Sequence, residues 1–438
     1  MAGNHVLDSL VRRGGVALVA VSLLGIGCWS EPAGAAGARK GTLVEATFAP
    51  FSGATAFLGQ VGLAAGIIGL VGLNADGGVL GHDFTWIKED TRGDPADAVP
   101  VARKMVGTVK NLILVNGNDS TSAPPTVPII NAAHKTMFLG AGQAIYTKSS
   151  YKYIWRNTPP DAADGVAMAY YVVHDLHCKS AATIYGQTVA AEGSAPGSIK
   201  AFEDLGGKIV AKEAIAATQP SYETEANQIA TAHPCAIMTE ENPATAATIF
   251  SELNTLGGLT HIVGTDATIF PTWFDAVEKA IGSSVFERDY VGVEFGVGIA
   301  KKTPSYPIFR ADVLKAKKYL PTKTSVYLNT PYAMATWDWT NEVALAMLEV
   351  NSVDPKKFNT RILTVTQKQP GAVVVHTFVK GKAALAAGKK IQYVGVLGPS
   401  PYNKYHNFTG SFEVQRASGK EVAYISGIKL APVMRRVG

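Results

Sequence analysis

The chain has 438 residues, 47% of them hydrophobic and 17% charged. That mixture excludes a disordered polymer, and the scarcity of long apolar runs excludes a polytopic membrane protein. Forty Lys+Arg against 35 Asp+Glu leave a net +5 without a basic block, so no nucleic-acid footprint is present and no such partner is expected.

In chain order, Arg12 and Arg13 come first, followed by an uncharged stretch, 14–27, that ends at Cys28. A basic start and an apolar run well short of the ~20 residues of a spanning helix read as an export signal. Two processing routes stay open. Ala33-Gly34-Ala35 and Ala36-Gly37-Ala38 offer small-x-small cleavage sites, which makes 1–38 a removable segment. Gly25-Ile26-Gly27-Cys28 resembles a bacterial lipobox, in which Cys28 becomes the lipidated first residue. Both routes put the protein in the periplasm or at the outer face of the cytoplasmic membrane, with an uncleaved anchor as the remaining alternative.

From residue 43 onward, short apolar runs alternate with longer amphipathic segments. Strands are expected at 43–48, 84–88, 112–115 and 137–139, with helices at 98–106 and 127–133. The alternation restarts with strands at 181–185, 208–212, 236–239 and 261–264, separated by helices at 197–205, 223–231 and 245–256. Strands alternating with helices imply parallel sheets covered on both faces, and two restarts imply an α/β protein of two such domains. Beyond 311 the pattern gives one strong helix at 341–350 and strand-like runs at 373–379, 412–415 and 422–428.

Ligands of open α/β sheets bind beyond the carboxyl ends of the strands. The loops there are Pro50–Gly53, Asn116–Ser122, Gly140–Gln143, Thr239–Asn242 and Gly264–Asp266, rich in hydroxyls, glycines and single carboxylates. They suit a polar or zwitterionic small molecule: hydroxyls and backbone N–H groups for an anion, Asp266 for a cation. Asp266 also reads as a cap for a helix over 271–280, and Ser120 and Thr121 as ordinary turn residues. Glu240 and Glu241 read as a solvated loop edge.

Several segments, in order, resemble the type I periplasmic solute-binding proteins of the Leu/Ile/Val-binding kind. They are Pro50-Phe51-Ser52-Gly53 with Gly59-Gln60, Asn74 through Gly81, and Asp90…Gly93-Asp94-Pro95 with Ala102-Arg103-Lys104. Trp155-Arg156-Asn157-Thr158-Pro159…Asp161 and Ala387 through Tyr393 with Gly395, Gly398 and Pro399 continue the series. The resemblance implies two doubly wound parallel-sheet domains joined by three crossovers and closing as a clamp. Lobe 1 would comprise 42–157 plus 297–400, and lobe 2 158–296 plus 401–430. It implies capture of an amino acid or related small carboxylate for an ABC permease, with no cofactor and no catalysis. In keeping with that, G-x-S-x-G, H-E-x-x-H, P-loop and G-x-G-x-x-G signatures are absent from the sequence. A ligand sensor for a membrane receptor, or a secreted enzyme using Asp266 or Glu240, are the rival classes.

Carried over position by position, the resemblance puts Ser120 or Thr121 where a hydroxyl grips the ligand carboxylate. Ala141 and Gln143 fall where backbone groups and a Thr side chain complete that grip, and Asp266 where an acid pairs the α-ammonium. Phe57 and Leu58 fall at an aromatic wall, and Asn242 near a closing tyrosine. One departure stands out: Ala190 occupies the place of an aromatic that covers the ligand, so the pocket should be roomier or Tyr185 should fill the gap.

His174, His177 and Cys178 share a helical spacing that could hold metal, but no fourth ligand is evident and no metal is expected. Cys178 and Cys235 precede what would be the first and third strands of the second domain, which are neighbours in a doubly wound sheet. A Cys178–Cys235 disulfide is therefore expected, in an oxidising compartment. Finally, Gly59, Gly62, Gly66 and Gly69 repeat along one face of an uncharged stretch reaching Leu73, which reads either as a core helix with an under-decorated surface or as a close helix contact with a partner or a second copy.

Overall fold

In the computed structural model of the chain, which describes residues 40–428 apart from 54, 118, 401, 409–410 and 419–420, the first apolar run becomes strand β1 (Gly41–Ala49). The export segment and Cys28 lie outside the described residues. With β2 (His82–Asp90), β3 (Leu112–Gly117), β4 (Thr136–Leu139) and β5 (Ile154–Trp155), it forms a sheet in the order β2-β1-β3-β4-β5. All four pairings are parallel, because each strand is followed by a segment long enough to return the chain. Apolar side chains bury both faces: Leu70, Phe138, Trp155 and Trp339 on one, Val115, Val127 and Ile130 on the other.

The chain then crosses into a second sheet. It contains β6 (Ser180–Gly186), β7 (Lys208–Ile215), β8 (Ala236–Glu240), β9 (His261–Gly264) and β10 (Tyr290–Phe295). It crosses back for β11 (Val373–Val375), β12 (Ile391–Gly395) and β13 (Gly398–Pro399), which make a small separate sheet, and returns for β14 (Phe412–Ser418) and β15 (Glu421–Ile428). The second sheet runs β15-β14-β10-β9-β8-β6-β7, with β14 and β15 antiparallel. The result is the expected fold, two α/β domains with parallel sheets and three crossings.

Cys178 and Cys235 are joined, with Cα atoms 5.6 Å apart. The cause is register: Ala181 pairs with Ala236, so the residues just before the two strands meet at one sheet edge. Using Cys178 in the bridge also removes it as a metal ligand beside His174 and His177.

Three expectations are corrected. The run 373–379 is not one strand: β11 stops at Val375, and Thr377 caps a helix over Phe378–Ala386 by accepting from the Lys380 N–H. The helix expected at 341–350 begins at Pro331 and ends at Glu349, because Thr336, Asp338 and Thr340 are buried polar residues that mask its apolar character. The glycine stripe lies in a 20-residue helix, Ala56–Ala75, that is apolar and long enough to cross a membrane by composition, yet two-thirds buried within its own chain. A Cβ at Gly66 would stand 2.1 Å from Glu45 Oε1, one at Gly69 2.8 Å from Thr340 Oγ1 and one at Gly72 2.4 Å from Asp312 Oδ2. The stripe thus admits β1 and two helices of the same molecule, and its surface is not available to a second copy.

Candidate functional site

Each sheet reverses its strand order once, between β1 and β3 and between β6 and β8, and loops diverge at such points to leave a crevice. The two crevices face each other across one cavity. Thr55, Phe57 and Leu58 reach it from the start of the helix after β1, Asp119, Ser120 and Thr121 from the loop after β3, and Gly140 from β4. The opposite wall brings Thr188, Ala190 and Ser194 after β6, Glu240, Glu241 and Asn242 at the end of β8, and Asp266, Ala267 and Phe270 after β9. Asp161 and Tyr332 complete the lining. The cavity measures about 140 Å³. At roughly 10–15 Å³ per water, that space takes on the order of ten non-hydrogen atoms, the size of one small solute.

Local chemistry fixes these loops. The Phe51 N–H and the Ser52 hydroxyl both donate to Asp90 at 2.8 Å, which ties the turn after β1 to the end of β2. Asp119 accepts from the Thr91 hydroxyl and the Thr121 N–H, each at 3.0 Å, so it shapes the turn that presents Ser120 and Thr121. Asn242 caps the helix Pro243–Thr255 by accepting from the Thr245 N–H.

The second wall is acidic. β8 and β9 pair Thr239 with Gly264, so Glu240 and the Thr265–Asp266 turn end adjacent strands about 4.8 Å apart. Asp266 accepts from the Tyr332 hydroxyl at 3.0 Å, and burial pushes its carboxyl up to about 6. Glu240 is raised to about 7 by burial and by the neighbouring Asp266, against the lowering effect of Ser194 and Thr265. Glu241 accepts from the Thr239 hydroxyl through Oε2, while Oε1 has no partner among the described residues; burial pushes it to about 8. Asp161 heads the helix Asp161–His174, where Gly142 and Gly193 leave room for its carboxyl, and burial with Glu240 and Asp266 raises it despite Arg156. Two contacts bridge the walls besides: Phe57 lies 5.3 Å from Phe270, which lies 6.4 Å from Tyr332.

Of the residues singled out in the sequence, Phe57, Leu58, Ser120, Thr121, Asn242 and Asp266 therefore meet in one cavity. Ala141, Gln143 and Tyr185 do not line it. Ala141 is fully buried behind β4, and Gln143 is buried with its carbonyl accepting from Arg156 at 3.0 Å. Tyr185 lies in the core with its hydroxyl donating to Ser198 at 2.7 Å, so it does not fill the room left by Ala190. The reading of Glu240 and Glu241 as a solvated edge is overturned: they are 6% and 5% exposed. Glu240 is the last residue of β8, inside the sheet, and the Trp273 indole donates to the Glu241 carbonyl and covers the turn. Tyr332 carried no local signal, since it arrives through a tertiary contact, whereas Phe270 lies four residues beyond Asp266 in the segment after β9, a position that could have marked it.

A sequence profile for periplasmic binding proteins matches residues 46–375. Among curated proteins, an amino acid binding protein of Pseudomonas aeruginosa is 25% identical over 207 residues, covering 47% of this chain and 53% of that one. A leucine-, isoleucine-, valine-, threonine-, and alanine-binding protein of the same organism is 25% identical over 174 residues, or 40% and 47% of the two chains. The match thus spans about half the length of these relatives. Two solved structures share the fold: a leucine binding protein from Thermotoga maritima (TM-score 0.70, 16% identity, 88% of this chain and 99% of that one) and a solute-binding protein from R. palustris in complex with benzoate (0.68, 15%, 88% and 96%).

Proposed function

The chain belongs to the periplasmic binding protein family, and on that premise we propose that it captures an amino acid or related small carboxylate and delivers it to an ABC permease outside the cytoplasm. The observation that carries this reading is the convergence of loops from both strand-order reversals on one small cavity. A solute held there touches both domains at once, so it favours the closed arrangement by as much as it binds that arrangement better. The Tyr332–Asp266 and Phe57–Phe270 contacts are the seams along which the lobes would part. The lobes we assign are 42–157 with 297–400, and 158–296 with 401–430. Ser120 and Thr121 would hold the carboxylate and Asp266 the α-ammonium, with Phe57 and Leu58 as the apolar wall. Export agrees with the Cys178–Cys235 bridge, since disulfides persist in oxidising compartments.

The test is a thermal-shift screen of the exported protein against amino acids, short amides and aromatic acids. A captured solute at a hundred times its Kd adds about 2.7 kcal/mol to the stability of the folded state, which is a plain rise in Tm. The bound solute should be recovered unchanged in one-to-one amount. Turnover of the solute, or no shift with any of the panel, would sink the capture reading.

A further inference from the structure

The lining of the cleft says more about the solute, provided the capture reading holds. Asp119, Asp161, Glu240, Glu241 and Asp266 all border the cavity, and no lysine, arginine or histidine does so among the described residues. Asp119 is committed to its turn, with both carboxylate oxygens accepting hydrogen bonds. Asp161 also borders a second cavity that contains Lys148, and it feels the charge of Arg156, whose own N–H groups go to the Gln143 carbonyl and the Thr147 hydroxyl. Asp266 is the natural partner of one ammonium. That leaves Glu240, which Ser194 and Thr265 hydrogen-bond, and Glu241, whose Oε2 accepts from Thr239 and whose Oε1 has no partner among the described residues; both are more than nine-tenths buried.

A neutral amino acid does not balance this wall. It brings one positive charge, which Asp266 meets, and its carboxylate adds a negative charge beside Asp119. An ionised buried carboxylate without a counter-charge costs several kcal/mol, so burial favours the protonated forms of Glu240 and Glu241 in the empty cleft, and a cation lets them ionise by offering charge-assisted hydrogen bonds. The aromatic rings of Phe57, Phe270 and Tyr332 close the cavity nearby, and such faces also attract a cation. The small side chain of Ala190 lies in the same lining.

We propose that the solute carries a second cationic group, as a basic amino acid does, and that Glu240 and Glu241 grip that group while Asp266 takes the α-ammonium. Neither glutamate is marked by the motif series that reveals the fold. Isothermal titration of the full-length protein at neutral pH tests this with L-lysine, L-ornithine and L-arginine against norleucine, which has lysine's chain without the second amine, and benzoate. At least one basic amino acid should bind about tenfold or more tighter than norleucine, equivalent to about 1.4 kcal/mol. In the Glu240→Gln/Glu241→Gln double variant that ratio should fall to near unity. Glu241→Gln alone, which keeps shape and removes one charge, serves if the double variant does not fold, and should lower the ratio part of the way. Norleucine or benzoate binding as tightly as every basic amino acid would overturn the cation assignment and leave solute capture standing. A preference for basic solutes that survives both variants would remove the glutamates from the role. No binding by any of the five would overturn the cation assignment, and the capture reading falls with it only if the wider thermal-shift panel also gives no shift.

Discussion

Asp266 stands two residues beyond β9, held by the Tyr332 hydroxyl and raised to about 6 by its burial. An Asp266→Asn substitution keeps the size and the hydrogen bond from Tyr332 while removing the charge. Hydrogen bonds to charged groups contribute about 1.5–3 kcal/mol, so the affinity for amine-bearing solutes should fall about 10- to 100-fold. Ligand-free stability should not fall, because a buried charge has been removed. Calorimetric titration with a melting curve of the same sample measures both, and an unchanged affinity would strike Asp266 from the site. At this scale the sequence is legible where a residue's place in the cavity follows from its position at a strand end. Ser120, Thr121 and Asp266 are found that way, since every doubly wound sheet exposes those places. Glu240 and Glu241 are misread because a glutamate pair is ordinarily a solvated pair, and only the indole of Trp273 and the burial of the β8 terminus make them otherwise. Tyr332 is out of reach for another reason: it lies 66 residues from the carboxylate it contacts.

Elements are more legible than contacts, because the alternation of apolar runs reports strands buried on both faces. β1, β3, β4, β6, β8 and β9 all appear where that alternation puts them. The Pro331–Glu349 helix is blurred at its start by buried polar residues, and Asp338 is one of them: it accepts from the Val396 and Leu397 N–H groups and the Tyr393 hydroxyl. The glycine stripe of Ala56–Ala75 shows that something approaches closely but not what, since Thr340 and Asp312 come from distant sequence. The disulfide was readable because it follows from strand adjacency alone. It closes a span of 57 residues between the ends of β6 and β8. Loop entropy for such a span corresponds to about 4 kcal/mol at room temperature, with observed bridges often giving less. Replacing both Cys178 and Cys235 by Ser should therefore lower unfolding stability by about 2–4 kcal/mol in a denaturant titration. Solute affinity should hold, as the bridge lies at the amino ends of strands whose carboxyl ends face the cleft. A loss of affinity with stability intact would place the bridge in the clamp motion instead.

The whole molecule carries an unusual load of buried acids, and their signs agree. Burial pushes Glu45 and Asp338 in the first domain up to about 8 and Glu342 to about 7, while in the cleft Glu241, Glu240 and Asp266 rise to about 8, 7 and 6. Each is raised above its ordinary value of 4.5 or 3.8, so between those values and about 8 the folded chain binds more protons than the unfolded one. Unfolding free energy must then decrease as pH rises: the contribution is complete below the ordinary carboxylate range and is lost as pH passes through about 6 to 8. The Tm of the ligand-free protein should accordingly drop from about pH 5 to about pH 8. The two sets of acids are separable. Glu45 lies under Gly66 with neither oxygen partnered among the described residues, so Glu45→Gln should flatten part of the slope with or without solute. The cleft set should respond to solute instead, because a bound cation favours the ionised carboxylates and removes their share of the slope. Melting curves at stepped pH, with and without the tightest-binding solute, distinguish the two shares. A Tm that is flat or rises across that window would mean that these carboxylates hold counter-charges and are ionised in the folded protein, and the charge argument for a cationic solute would lose its footing.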